Sequence, residues 1–228
     1  MRSTEDLNTA ARIRDAAVEQ FGRHGFDVGV RAIAAAAGVS PGLVNHHFGS
    51  KDGLRAACDA HVAEVIREVK SETIQAHDPA AWLAAAAEID QYAPLTGYLV
   101  RSLQSGGDLA KDMWQRMIEN AEQYLDDGVR AGTIKPSPDP HARARFLAMS
   151  GGGAFLLYIQ LHEDPGDLRR VLRDYAADMM LPAVELYTFG LLTDSTNYDA
   201  FRAQADQAAQ PGAAPDTPPT TQDPRSRP

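Results

Sequence analysis

The chain has 228 residues, 44% of them apolar, which suits a small domain joined to a larger one. No run approaches the roughly 20 apolar residues of a membrane span, the opening MRSTEDLNTA is not a secretory signal, and one cysteine excludes an intrachain disulfide or a thiolate zinc site. The net charge of −9 is uneven, since residues 1–60 carry seven basic and seven acidic side chains while 61–228 carry 15 and 24, so only the first quarter is electrostatically open to phosphate. A cytoplasmic protein with no membrane partner is expected.

Helical periodicity dominates, and strand-like alternation is nearly absent, so the expected fold class is all-α. Ile13, Ala16, Ala17 and Phe21 mark the apolar face of a first helix closed by Gly22 and Gly25. A short second helix over residues 30–37 ends at Gly38. Ser40 caps a third with Pro41 at its first position, where a missing N–H costs nothing. Ser50 caps a long fourth whose stripe is Leu54, Cys58, Val62, Ile66 and Val69. Asp78-Pro79 and Asp139-Pro140 each open a further helix by the same device. Between them a helix over about 109–131 ends at Gly132, and Asp167 caps a last one that Pro182 should kink. From about residue 208 the tail is rich in Pro, Thr and Ala and reads as disordered. The expected division is a small helical domain over 1–52, a larger helical domain over 53–200, and a fraying and disordered tail over 201–228.

Gly38-Val39-Ser40-Pro41-Gly42 has the spelling of a hydrolase nucleophile elbow. That turn needs a strand before the serine, and the preceding RAIAAAAG is helical; the later acid and histidine of an alternating α/β chain are not visible either. Two helices joined by a glycine-containing turn account for more of the residues, with the second helix presented to the major groove. Ile33, Ala34, Ala37, Val39, Val44 and Phe48 form the small core of that unit, where alanines allow close approach. Pro41, Gly42, Leu43, Asn45 and His46 lie on the first two turns of the third helix, away from that core. Proline, glycine and leucine suit the thymine methyl, which leaves polar readout to Asn45 and His46.

Residues 33–54 resemble the TetR family of bacterial repressors. The pattern runs Ile33-Ala34-x-x-Ala37-Gly38-Val39-Ser40-x-Gly42, then Val44-Asn45-x-His47-Phe48-x-Ser50-Lys51-x-x-Leu54. The resemblance implies a homodimeric transcriptional regulator, most often a repressor, with an N-terminal helix-turn-helix domain and a larger helical domain for ligand binding and dimerisation. It places Arg31, Ser40, His47 and Lys51 among the DNA contacts, His47 and Lys51 on the backbone, with Arg2, Arg12 and Arg14 as possible helpers from the N-terminal arm. The family usually has an aromatic at the position of Asn45 and Ser or Thr near Val28-Gly29. Both differences remove a phosphate contact, although Asn45 can instead pair with an adenine edge.

His46 and His47 point about 100° apart on a helix, poor geometry for one metal, so no metal or other cofactor is expected. Cys58 on an apolar stripe reads as a structural thiol. Gly151, Gly152 and Gly153 lack the lysine of a phosphate-binding loop and lie in an apolar helical run, where they permit close packing. Trp82, Tyr98, Trp114, Met117, Tyr124 and Phe155 are candidate walls of a pocket for a small apolar or amphipathic effector. Nearby Glu88, Asp90, Glu119 and Glu122 suit a cationic ligand or simply a solvated face. Expected partners are double-stranded palindromic DNA, that effector and a second copy, which supplies the other reading head. Apolar helices near 140–161 and 167–189 suit the dimer contact. A ligand that tilts the fourth helix would move the two heads out of register. The expected activity is therefore regulation rather than catalysis, with a ligand-binding or scaffold protein as the alternative.

Overall fold

Interruptions and caps divide the chain into helices much as the sequence implies. The computed structural model describes residues 4–76 and 78–208, with no strand among them. Its α-helices are α1 (Thr4–His24), α2 (Val30–Ala36), α3 (Pro41–Phe48), α4 (Lys51–Gln75), α5 (Pro79–Ala87), α6 (Ala93–Gln104), α7 (Gly107–Ala131), α8 (Pro140–Leu161), α9 (Leu168–Phe189) and α10 (Thr196–Ala208). A 3₁₀ turn, Ile89–Tyr92, joins α5 to α6. The expected caps form: Ser50 Oγ accepts from Gly53 N at 3.0 Å, Asp78 from Ala80 N at 2.9 Å, Asp139 from Ala142 N at 2.9 Å and Asp167 from Arg170 N at 3.1 Å. Each contributes about 1 kcal/mol. Residues 1–180 form one compact unit and 181–228 a second, the division falling within α9.

α9 contains Pro182 and runs on to Phe189. Two expectations change. α1 runs through Gly22 to His24, so the helix is closed by Gly25 alone, with φ of 82°. The tail expected to fray from 201 is helical as far as Ala208; the remainder of that disordered assignment, 209–228, lies outside the described residues.

One core runs from the first helices into the rest of the first unit. Ile13, Ala17 and Phe21 of α1 meet Ile33 and Ala34 of α2, Val44 of α3, Leu54, Cys58 and Val62 of α4, Tyr98 of α6 and Met113 of α7. No break in packing coincides with the boundary expected at residue 52. A smaller cluster of Ala121, Leu125 and Ala144, flanked by Tyr124 and Leu147, joins α7 to α8. Burial pushes the Cys58 thiol up to about 12, which keeps it protonated and unreactive.

α1 and α6 touch backbone to backbone. A Cβ on Gly22 would lie 2.9 Å from Tyr98 N and 3.1 Å from Gly97 C, and one on Gly97 would lie 3.7 Å from Gly22 Cα. The Arg101 Nε–H donates to Gly22 O at 3.3 Å across the same crossing. Tyr98 is fully buried against Phe21 and Phe26, and its hydroxyl donates to Asp59 Oδ1 on α4 at 2.6 Å. Burial raises the Asp59 carboxyl above its ordinary range, and the Tyr98 hydrogen bond partly offsets that rise.

Gly22→Ala drives a methyl into a backbone that cannot retreat. It is expected to destabilise the chain by about 1 to 3 kcal/mol, the cost of overpacking, in urea unfolding. Gly42→Ala, whose new Cβ meets nothing closer than Ser40 Oγ at 3.9 Å, should leave the midpoint unchanged within about 0.5 kcal/mol. Because the folded Asp59 pKa is raised, its contribution is favourable at pH below the unfolded value and is lost as pH rises through the folded one. Asp59→Asn keeps an acceptor for Tyr98, so it should gain stability relative to wild type as pH rises from about 4 to 7, read from melting temperatures.

Candidate nucleic-acid interface

α2 and α3 are held at their angle by the turn between them. Val39 N donates to Ala34 O at 2.9 Å, and Ser40 Oγ accepts from Leu43 N at 3.3 Å while Pro41 occupies the first helical position. The hydroxyl that a hydrolase would use is therefore the cap of a helix, and a helix rather than a strand precedes it. Ile33, Ala34, Ala37 and Val44 are buried, with Val39 and Phe48 half-buried, as the small-core reading requires.

That packing leaves one side of α3 open. Ser40, Pro41, Gly42, Asn45 and His46 are exposed and Leu43 is half-buried. Arg31 on α2 is exposed as well, and Lys51, the first residue of α4, is half-buried. The α3–α4 turn is tight: Ser50 N donates to Phe48 O at 2.8 Å around Gly49, whose φ of 75° a side chain rarely adopts. α3 carries no Lys or Arg of its own. Eight of the nine expected DNA contacts thus share this end of the chain in exposed or half-buried positions.

His47 departs from expectation. Its side chain is 3% exposed, and Nε2 lies 3.6 Å from Asp6 Oδ1 of α1, too far for a hydrogen bond. The ring turns inward beneath α1 and does not offer Nε2 to a phosphate in this conformation. His46 takes the outward direction, so the two rings diverge. Arg12 is exposed, Arg14 is bound to the Asp15 carboxylate at 2.9 Å, and Arg2 lies outside the described residues.

The six candidate pocket residues stand in different surroundings. Tyr98 is locked in the core with Asp59; Trp82 is exposed on α5; Trp114 faces the backbone of Gly152; Tyr124 packs on the Leu125 cluster; Phe155 meets Tyr175 edge-on at 5.0 Å; and Met117 is half-buried on α7. None of them lines either of two open clefts. The larger, about 340 Å³, lies between α8 and α9 and is walled by Tyr158, His162, Asp174 and Asp178 among others. The other, about 210 Å³, lies between α4 and α5 and is walled by Val69, Glu72, Thr73, Ala81, Ala85 and Tyr92. The residues that wall this second cleft were not among the candidates, because aromatic identity alone does not say which side chains border space and which fill it.

Among the described residues, a Cβ at Gly151 or Gly153 would meet nothing within 4 Å, so neither glycine is required there by packing. The side of α8 that carries Gly153 also exposes Phe146, Met149 and Leu157. No helix among the described residues is long and apolar enough to cross a membrane.

A helix-turn-helix whose second helix is exposed along one side, on an all-helical body, defines a DNA-binding transcriptional regulator. Residues 13–58 match the family model for bacterial regulatory proteins of the tetR family, and residues 90–193 match that for the tetracyclin repressor-like C-terminal domain. The chain is 67% identical over 207 residues to the HTH-type transcriptional regulatory protein RaaS of Mycobacterium tuberculosis, covering 91% of this chain and 97% of that one. It therefore belongs to the TetR family of transcriptional regulators, which are not enzymes. Similarity to the regulator BetI of Brucella canis, 42% identity over 73 residues, covers 31% of this chain and 37% of BetI. Among solved structures the fold resembles SmeT, the repressor of a Stenotrophomonas maltophilia multidrug efflux pump, with a TM-score of 0.51 at 24% identity over 76% of this chain and 89% of SmeT.

Asn45→Ala should cost about 1 to 3 kcal/mol on specific DNA and relax sequence preference at one base position. Lys51→Ala should weaken specific and scrambled DNA equally and lower the salt slope by about 1. Fluorescence anisotropy across a salt series separates the two, and equal losses from both variants on all DNA would assign Asn45 to the backbone instead.

Proposed function

We propose that the protein is a homodimeric repressor that holds a palindromic operator and releases it when a small apolar or amphipathic molecule binds the helical body. The observation that carries the reading is the exposed side of α3. Pro41, Gly42 and Leu43 give apolar contacts, and Asn45 and His46 give polar ones, on the turns that enter the major groove. Arg31 and Lys51 flank that surface and neutralise phosphates. One such helix reads few base pairs; two, about 34 to 36 Å apart, read a palindrome. Exposed Phe146, Met149, Gly153 and Leu157 recur at helical spacing along α8 and supply the apolar, small-residue face that a partner's helix covers.

The α4–α5 cleft is the better effector site of the two. Apolar Val69, Ala81 and Ala85 stand beside polar Glu72, Thr73 and Tyr92, a mixture suited to an amphipathic molecule. Three of these six belong to α4, whose other end carries Lys51 into the DNA-binding head. A ligand there favours a tilt of α4 that changes the spacing of the two heads, and DNA and ligand weaken each other by the same factor. The protein works where the DNA is, in the cytoplasm.

The test is titration of the purified chain onto DNA from upstream of its own gene, with scrambled competitor. Specific binding of two protomers per site is expected. Equal, weak binding to every sequence would overturn the operator reading and leave a ligand-binding or scaffold protein. With an effector in hand from a release screen, Ala85→Phe should fill the cleft and abolish release while leaving DNA affinity within about twofold, since a volume change there is felt locally. Release that survives this variant places the effector elsewhere.

A further inference from the structure

The described residues of the second unit, 181–208, bury almost nothing. Within residues 181–208 every side chain is exposed except the half-buried Ala183. Leu181, Leu186, Tyr187, Phe189, Leu191, Leu192, Tyr198 and Phe201 are all large and apolar, and Phe189 and Leu191 are more than 80% exposed. α10 has 13 residues and buries none of them, and a helix of that length is marginal in water without a packed face. It nevertheless has such a face, with Tyr198, Phe201, Ala205 and Ala208 at spacings of three, four and three.

We propose that residues 181–208 form an arm that packs across a second copy of this chain, extending the α8 and α9 contact of the proposed dimer, on which this inference rests. Continuity is one reason. Within α9, Tyr175, Met179, Pro182, Leu186 and Phe189 recur at spacings of four, three, four and three, the period of one helical row. Area is another: aromatic side chains bury roughly 150 to 250 Å² each, so this set offers on the order of the 800 Å² per partner of a stable interface. Charge narrows the occupant. The segment carries Glu185, Asp194, Asp199 and Asp206 against Arg202 alone, which repels nucleic acid and anionic lipid. Exposed Arg145 beside Phe146 on α8 of a second copy offers a complementary positive charge. Because a two-fold contact is self-complementary, each protomer both gives and receives an arm. α10 lies beyond residue 193, where the match to the C-terminal family model ends.

Sedimentation equilibrium of the full chain tests this, with the double variant Leu192→Asp, Phe201→Asp and, as a control, Leu83→Asp on α5. Wild type is expected to be dimeric, and the arm variant to raise the dimer dissociation constant at least about tenfold while the control does not. A photo-crosslinking phenylalanine at Tyr198, in tagged chains mixed with untagged ones, should yield tagged–untagged dimers; this readout stands even where the double variant fails to fold by circular dichroism. A dimeric wild type with an unchanged constant in the folded arm variant and no cross-copy adduct overturns the arm while the dimer stands. A monomeric wild type overturns both.

Discussion

The structure depends on the contact between Gly22 and Gly97. Two helices whose backbones touch leave no side-chain layer to absorb a displacement, so α6 cannot shift without carrying α1. The same crossing sets Tyr98 against Phe21 and Phe26 and brings its hydroxyl to Asp59 on α4. Arg55 of α4 completes the junction, its guanidinium 3.4 Å from the centre of the Phe26 ring. Three helices that belong to different parts of the chain in sequence thus share one rigid node. α2 and α3 have no core independent of the body, and packing rather than a flexible joint connects them to it.

That arrangement assigns α4 a double role. Its first turn positions Lys51 next to α3, its middle holds Cys58, Val62 and Asp59 in the node, and its last turns line the α4–α5 cleft. Along the way Asn120 of α7 donates to Ala63 O at 2.7 Å and Gln75 donates to Ser71 Oγ, which donates in turn to Asp127 of α7. These polar contacts fix the sliding register of α4 against α7, where apolar packing alone would tolerate small shifts. α4 is thereby fastened to α7 at two points besides its packed core.

Much of the fold was legible because helix ends are chemical events. Ser40-Pro41, Ser50, Asp78-Pro79, Asp139-Pro140 and Asp167 supply acceptors that stop a backbone N–H from being stranded, and each does so in the structure. α6 has no such mark: Tyr92 offers no side-chain cap, and a 3₁₀ turn leads straight into it. α10 was hidden by its neighbours, since a polar, alanine-rich segment before a Pro/Thr tail looks like the tail's beginning. Which residues stand on the exposed side of α3 followed from helical period, but His47 did not. Whether its ring faces out or turns under Asp6 is decided by the far end of α1, some forty residues away, and local spacing is silent on it. The pocket candidates met the same limit: Tyr98 and Phe155 are aromatic whether they border a void or fill one.

The lack of any lysine or arginine on α3 has a kinetic consequence. Binding to arbitrary DNA draws on released counterions, and here that contribution comes from a few side chains around the helix, Arg31 and Lys51 among them, set on a body that carries the chain's negative charge. For the repressor proposed above, residence on random sequence is expected to be brief, with the chromosome searched by short hops through solution rather than long slides along the duplex, and operator occupancy set by the quality of the base contacts.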